Sequence, residues 1–297
     1  MDTRKLKYFL AVVDCNGFNR AAEELLIAQP SLSQTIASLE RDLGVPLFHR
    51  IGRRAVLSEA GKTLVGPARQ VMRDLEAAES AVHSLRGLRS GQLDIITMPS
   101  PGIEPLTSMI TSFLELHPSV RLNVEAAFTA EEVVESIRNG HAELGLAGSH
   151  GAIRVPGLDV LELGHQPLIL MVNPQADSFG ESDTIRREDL SGHRLVASQR
   201  GSLMRWLVDD ALAQGVETEI VVEVAHRTSI LPLVLAGVGH AVMPSSWGPL
   251  ANRSGVRTLL IEPVSRLDVA LLSRNANLTP AAVSFLKVAK KHAGPAA

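Results

Sequence analysis

Apolar positions recur at helical spacing three times in the first 44 residues. Leu6, Phe9, Leu10 and Val13 form one set. Phe18, Ala21, Ala22 and Leu25 form the next, and Leu32, Ile36, Leu39 and Leu43 the third. Three short helices are predicted. Gly17 separates the first two, Asn19 can cap the second, Pro30 suits the first turn of the third, and Gly44 ends it. The second and third lie only a few residues apart, around Ile27 and Ala28, which is helix-turn-helix spacing. Residues 45–57 then place two short apolar runs around Gly52, Arg53 and Arg54. This reads as a β-hairpin with a basic tip, a wing.

The period then changes. Leu64, Ala68, Val71, Leu75, Ala78, Val82 and Leu85 alternate four and three residues apart. A long helix, capped by Ser58 and running to about Leu85, would carry an a/d seam for a second helix. Pro67 is expected to bend or loosen an early turn. Residues 86–91 (RGLRSG) read as a hinge. Beyond it, strand-like and helical runs alternate in two series. The first covers 93–98, 106–116, 120–126, 131–138 and 143–147; the second covers 168–172, 194–197, 203–213, 220–224, 230–236 and 241–243. Such alternation implies βα units, mainly parallel sheets and an α/β class with two lobes. The predicted organisation is a winged helix-turn-helix over 1–58 and a dimerising linker helix over 59–88. An effector-binding domain follows over 91–297, with lobe I at about 91–162 plus 268–297 and lobe II at about 163–267. Residues 294–297 read as a loose tail.

Composition alters this picture in a few places. The whole chain has a net charge of -3, which does not suggest a nucleic-acid binder. Residues 1–90, however, hold 13 Lys and Arg against 10 Asp and Glu, and the remainder holds 16 against 22. A basic head on an acidic body suits an anionic partner for the head alone. Cys15 is the single cysteine, which excludes an intramolecular disulfide and a cysteine-rich metal site and fits a reducing compartment. No signal-like apolar start occurs, and no uncharged apolar stretch reaches about 18 residues, so a cytoplasmic chain without a membrane partner is expected.

The stretch YFLAVVDCNGFNRAAEELLIAQPSLSQTIASLERDLGVPLFHR, with the following LSEAGKTL, closely resembles LysR-type transcriptional regulators. Residues 140–144 (GHAEL) and 236–244 (AGVGHAVMP) resemble patterns of that family's effector domain. The resemblance implies a periplasmic-binding-protein-like sensor and a homodimer or homotetramer that activates or represses transcription, with RNA polymerase as a further partner. It also implies that Gln29, Pro30, Ser33 and Gln34 face DNA. Many members carry arginine at the last of these positions. Gln34 departs from that pattern and shifts the expectation from guanine toward adenine.

Read from the residues, the third helix exposes Gln29, Ser31, Ser33, Gln34, Thr35 and Ser38 while it buries Leu32, Ile36 and Leu39. Short hydroxyls and amides at a recognition-helix N-terminus reach base edges and phosphates of double-stranded DNA. Arg50, Arg53 and Arg54 would engage phosphates or a narrow minor groove. In a two-lobed α/β fold, a small polar or anionic effector is expected where strand ends meet helix starts. That places Ser100, Pro101 and Gly102 after the first strand, Thr129 in a capping box with Glu132, and Ser149, Ser198, Gly201, Ser202 and Thr228 at further turns. Plain helix capping competes with ligand contact for these hydroxyls. Arg200 or Arg227 could pair with an anionic effector, against the commoner fate of a surface salt bridge.

Three rivals stand beside this reading. One is an architectural DNA-binding protein without effector, for which the α/β body is excessive. Another is a periplasmic solute-binding protein, for which the head has no use. The third is a metabolic enzyme. Gly237 and Gly239 lack the third glycine of a dinucleotide fingerprint, the other common catalytic motifs are missing, and the ten histidines have no metal-ligand spacing. No metal and no cofactor are expected.

Overall fold

Helix α1 (Thr3–Asp14) starts on Asp2, whose carboxylate accepts the Lys5 N–H, and turns Leu6, Phe9 and Leu10 inward. The computed structural model describes residues 1–51, 54–84, 91–175, 179–200, 202–213, 216–275 and 278–293. Helix α2 (Phe18–Glu24) begins directly after Gly17, so Asn19 lies inside its first turn rather than capping it. Helix α3 (Gln29–Leu43) ends at Gly44, which adopts the left-handed conformation that glycine takes without a steric penalty. Strands β1 (Phe48–Ile51) and β2 (Arg54–Leu57) pair antiparallel as the wing. Phe48 ties the wing to the helices by packing against Phe9 and Phe18. Glu40 adds a polar tie, accepting the Leu47 N–H at 2.7 Å and the Phe48 N–H at 3.2 Å.

Ser58 caps helix α4 (Glu59–Ser84) by accepting the Gly61 N–H at 3.0 Å. A Cβ at Gly61 would sit 2.2 Å from the Leu47 carbonyl oxygen, so glycine is required there. The helix runs from Glu59 to Ser84 with Pro67 inside it. Only part of the expected seam faces outward. Leu64 and Ala68 pack against the head, whereas Val71, Leu75 and Ala78 are exposed. Leu85 and the expected hinge through residue 90 lie outside the described residues, as do residues 294–297.

The first lobe is built on β3 (Gly91–Thr97), α5 (Pro99–Ile103), α6 (Leu106–Leu116), β4 (Val120–Ala126), α7 (Ala130–Arg138) and β5 (Leu144–Ser149). Strand β6 (Leu158–Met171) then crosses into the second lobe. That lobe comprises β7 (Thr184–Arg186), β8 (Arg194–Ser198), α8 (Leu203–Leu212), β9 (Glu219–Val224), α9 (Ile230–Leu235), β10 (Ala241–Pro244), α10 (Gly248–Arg253) and β11 (Thr258–Glu262). Strand β12 (Arg266–Arg274) returns to the first lobe, and α11 (Pro280–His292) packs on it through Phe285, which meets Phe113 of α6 at 5.3 Å.

The central sheet has the order β4-β3-β5-β12-β6-β11-β7, with β10 also on β6. Strands β3, β4 and β5 are parallel, as are β8 and β9. The expectation of mainly parallel sheets needs correction at the centre. Strand β12 runs antiparallel to both β5 and β6, and β10 and β11 run antiparallel to β6. A chain that leaves one lobe and comes back must place its return strand against its outgoing one.

Candidate functional site

Two places gather the chemistry. The first is the exposed start of α3. Leu32, Ile36 and Leu39 fix one face of this helix in the core of the head. The opposite face presents Pro30, Ser31 and Gln34 fully to solvent, with Gln29, Ser33, Thr35 and Ser38 half-buried beside them. The Gln29 amide donates to the Ser33 hydroxyl at 2.8 Å, and the Thr35 hydroxyl donates to the Ser31 carbonyl at 2.9 Å. Gln34 is exposed and makes no such internal bond among the described residues. No side chain caps this helix, because the N-cap position is Ala28. Pro30 has no N–H and the Ser31 N–H already meets the Ala28 carbonyl at 3.0 Å, so the Gln29 N–H and the positive end of the helix dipole remain for an anion such as a phosphate. Arg50 stands opposite Ala55 and Arg54 opposite Ile51 in the wing, and Arg53 lies outside the described residues.

The second place is the cleft between the lobes, where the ends of β3, β5 and β8 meet the starts of α7 and α8. It has two compartments. The outer, of about 610 Å³, is walled by Met98, Thr129, Ser149, His150, Ser202 and Trp206 among others. The inner, of about 440 Å³, is walled by Ser198, Arg200, Ser202, Arg227, Thr228 and Trp247 among others. Phe128 and Thr129 border both. His150, from the end of β5, meets Trp206 of α8 edge-on at 4.7 Å and so spans the cleft.

The expected hydroxyls divide. Thr129 caps α7, accepting the Glu132 N–H at 3.1 Å while the Glu132 carboxylate accepts the Phe128 N–H at 2.7 Å. It still lines the cleft, so capping and wall positions coincide. Ser202 does the same for α8 through the Arg205 N–H. Thr228 lies exposed on the 3-10 turn Arg227–Ser229. Ser149 donates to the Gly151 carbonyl at 2.6 Å. Ser198 is buried, and its hydroxyl has no hydrogen-bond partner among the described residues.

Ser100 is placed differently from the expectation. It is completely buried and lines neither compartment; it accepts from Arg227 at 3.3 Å and from the Trp247 indole at 3.4 Å. Pro101 and Gly102 also line neither compartment, since α5 turns that side toward β3, where Gly102 lies against Thr97. Gly201 lies outside the described residues.

The two candidate arginines separate as well. Arg200 is 81% exposed and pairs with Glu223 at 3.6 Å. Arg227 is buried, and burial draws its guanidinium down to about 10. Phe128, Trp206 and Trp247 were not anticipated from sequence. The usable signal was scarcity: the chain has only two tryptophans, and both line this cleft. Among the described residues no helix is long and apolar enough to cross a membrane, and no cluster of three metal-ligating side chains occurs.

The family model described as bacterial regulatory helix-turn-helix protein, lysR family, matches residues 3–62. The model described as LysR substrate binding domain matches residues 86–294. The HTH-type transcriptional regulator IlvR of Caulobacter vibrioides is 28% identical over 292 residues, covering 97% of each chain. YbhD of Escherichia coli, an uncharacterised HTH-type transcriptional regulator, is 26% identical over 94% of this chain and 88% of its own. In fold, the chain resembles full-length CbnR solved with its target DNA, with TM-score 0.70, 24% identity and coverage of 99% of this chain and 100% of that one. It also resembles full-length OxyR from Pseudomonas aeruginosa, with TM-score 0.76, 21% identity and coverage of 98% and 94%. The relatives that carry these names are regulators rather than enzymes.

Proposed function

The chain belongs to the LysR family of bacterial helix-turn-helix regulators, and from that membership we propose how it works. The start of α3 enters the major groove of double-stranded promoter DNA. Gln29, Pro30, Ser31, Ser33, Gln34, Thr35 and Ser38 lie against bases and phosphates, and Arg50, Arg53 and Arg54 of the wing lie against the backbone. Gln34 favours adenine through its two amide atoms. The protein works in the cytoplasm as a homodimer or homotetramer joined through α4, and it meets RNA polymerase at the promoter.

A small polar or anionic metabolite binds between the lobes. Thr129, Ser149, Ser198, Ser202 and Thr228 contact it directly, and Ser100 acts from behind by holding Arg227. Binding changes the angle between the lobes, and α4 carries that change to the spacing of two reading heads.

The observation that carries this reading is the polar, uncapped start of α3 held outward by a buried Leu32–Ile36–Leu39 stripe. The cleft argues against an architectural protein, which has no need of a walled cavity of several hundred Å³.

A footprint of the purified protein on the DNA upstream of its own gene tests the proposal. Two protected half-sites in successive major grooves are expected. Uniform coating at low salt with no preferred site would instead point to the architectural reading.

A further inference from the structure

Arg227 is a buried cation with no anion beside it among the described residues. Its residue is 8% exposed, and its side chain makes one hydrogen bond among the described residues, to the neutral hydroxyl of Ser100. No acidic neighbour offsets the burial that lowers its pKa to about 10, so it keeps its charge at neutral pH. Arg205, which lines the outer compartment, is the useful contrast. Its side chain is as deeply buried, but it holds Asp209 at 2.7 Å and Glu223 at 2.8 Å. The fold thus supplies counter-ions to one buried arginine of the cleft and withholds them from the other. A buried charge without a partner is costly to keep unless something else completes it. The unpartnered hydroxyl of Ser198 lines the same inner compartment, with Thr228 nearby.

The outer compartment is mixed: Glu131 and Asp209 stand on its rim, while Met98, Phe128, Leu203 and Trp206 give it apolar wall. Of the chain's seven phenylalanines and two tryptophans, Phe128, Trp206 and Trp247 line the cleft. Phe128 is 55% exposed and Trp206 48% exposed, although large apolar side chains are ordinarily covered. Phe128 borders both compartments, so a molecule anchored in the inner one passes its ring on the way to Trp206 and His150. One guanidinium fork matches one carboxylate in shape and charge. A doubly charged phosphate would leave a surplus negative charge in this compartment, since Arg200 is already paired at the surface.

Resting on the reading of the cleft as the effector site, we propose that the effector is a monocarboxylate with a flat, aromatic or conjugated body. Its carboxylate pairs with Arg227 in the inner compartment, and its body lies on Phe128 and extends toward Trp206. Both tryptophans lie in the cleft, so intrinsic fluorescence of the full chain reports binding directly.

The experiment titrates the protein with benzoate, 2-naphthoate and indole-3-acetate, with the matching amides of each, and with hexanoate and inorganic phosphate. The expected result is saturable quenching by at least one aromatic carboxylate, with its amide about tenfold weaker or worse, because a charge-assisted pair has been removed. Arg227→Gln should erase the acid–amide difference, and Arg227→Lys should restore part of it. The acid–amide comparison on the unaltered chain holds whether or not Arg227→Gln folds.

Several outcomes would overturn the proposal. These are amides that bind as tightly as their acids, hexanoate or phosphate that binds more tightly than every aromatic carboxylate, and no response to any of the carboxylates at millimolar concentration. A neutral or aliphatic ligand that alters the DNA footprint would overturn this proposal and leave the regulator reading intact. A missing footprint would sink the regulator reading whatever the cleft binds.

Discussion

Ala28 occupies the N-cap of α3 and offers no side-chain acceptor, and only its carbonyl takes the Ser31 N–H, at 3.0 Å. Ala28→Ser should supply one and raise the stability of the head by about 1 kcal/mol, read as a higher melting temperature. If the positive end of this helix serves a phosphate, the same change should weaken DNA binding. His240 works in the opposite sense, through a proton it refuses. Its ring is buried against Phe179 and His193, and its Nδ1 accepts the Asn173 N–H at 3.0 Å. Burial first, and His193 second, push its pKa down from 6.5 to about 4. The unfolded chain therefore takes up this proton near pH 6.5 and the folded chain only near pH 4. Stability should fall as pH is lowered through that window and level off below it. Urea unfolding across the window should show the slope, and His240→Asn, which keeps an acceptor but cannot titrate, should reduce it. At this scale the sequence was a partial guide. The turns bearing Thr129, Ser198, Ser202 and Thr228 were legible because strand-to-helix turns advertise themselves by residue type. That Ser100 lies beneath Arg227 was not legible, since the direction of a side chain in a five-residue helix depends on packing from the other lobe. Arg200 and Arg227 looked equivalent along the chain, and only the fold separates a solvated ion pair from a buried charge.

Among the elements, α4 has two duties on one helix. Its first turns press Leu64 and Ala68 into the head, while Val71, Leu75 and Ala78 remain uncovered further along. The spacing of four and three residues could not distinguish these duties, because an intramolecular stripe and a dimer seam follow nearly the same period over two turns. Leu75→Lys sets a charge in the exposed part and spares the part that holds the head. It should shift the protein toward monomer in sedimentation velocity at micromolar concentration with little change in the head's melting; an unchanged dimer would place the interface elsewhere. Where these two parts meet, the helix is fastened to the first lobe through Gln70 and Arg73. Arg73 donates to the Gly140 carbonyl, and Gln70 accepts from both Arg73 and Arg274. Nearby, the buried Glu143 accepts the Thr279 N–H at 3.0 Å and its hydroxyl at 2.8 Å. Gly140 has a positive φ of 64°, and a Cβ there would meet the Arg73 guanidinium at 2.1 Å. The GHAEL pattern thus has a physical reason that its letters alone did not disclose: a glycine for close approach and a glutamate to anchor the turn before α11.

Over the whole molecule, the alternation of strands and helices made both lobes legible, but the strands that join them escaped. Strands β11 and β12 and helix α11 had no counterpart in the pattern, and only the last part of β6 did. Strand β12 is covered on both faces, so the apolar–polar alternation that announces a half-exposed strand is missing from it, whereas β11 does alternate but over five residues only. The largest apolar core also ignores the division, running from Leu93 and Phe113 in one lobe to Leu170 and Val242 in the other. Chemical denaturation should therefore give one transition for the effector domain. Tryptophan emission, which reports the second lobe, and hydrogen exchange at Leu93 and Ile95, which reports the first, should share a midpoint; separated midpoints would show that the lobes unfold independently. The register of the crossing strands has one more consequence. Pro167 on the way out stands opposite Arg266 on the way back, and Gln166 stands opposite Leu267. The whole second lobe is thus written inside the first like a clause between brackets, its two ends touching. A chain of this design enters and leaves that clause at a single point of the sentence, yet the clause cannot simply be cut, because Leu170 and Val242 inside it share their apolar core with Leu93 and Phe113 outside it.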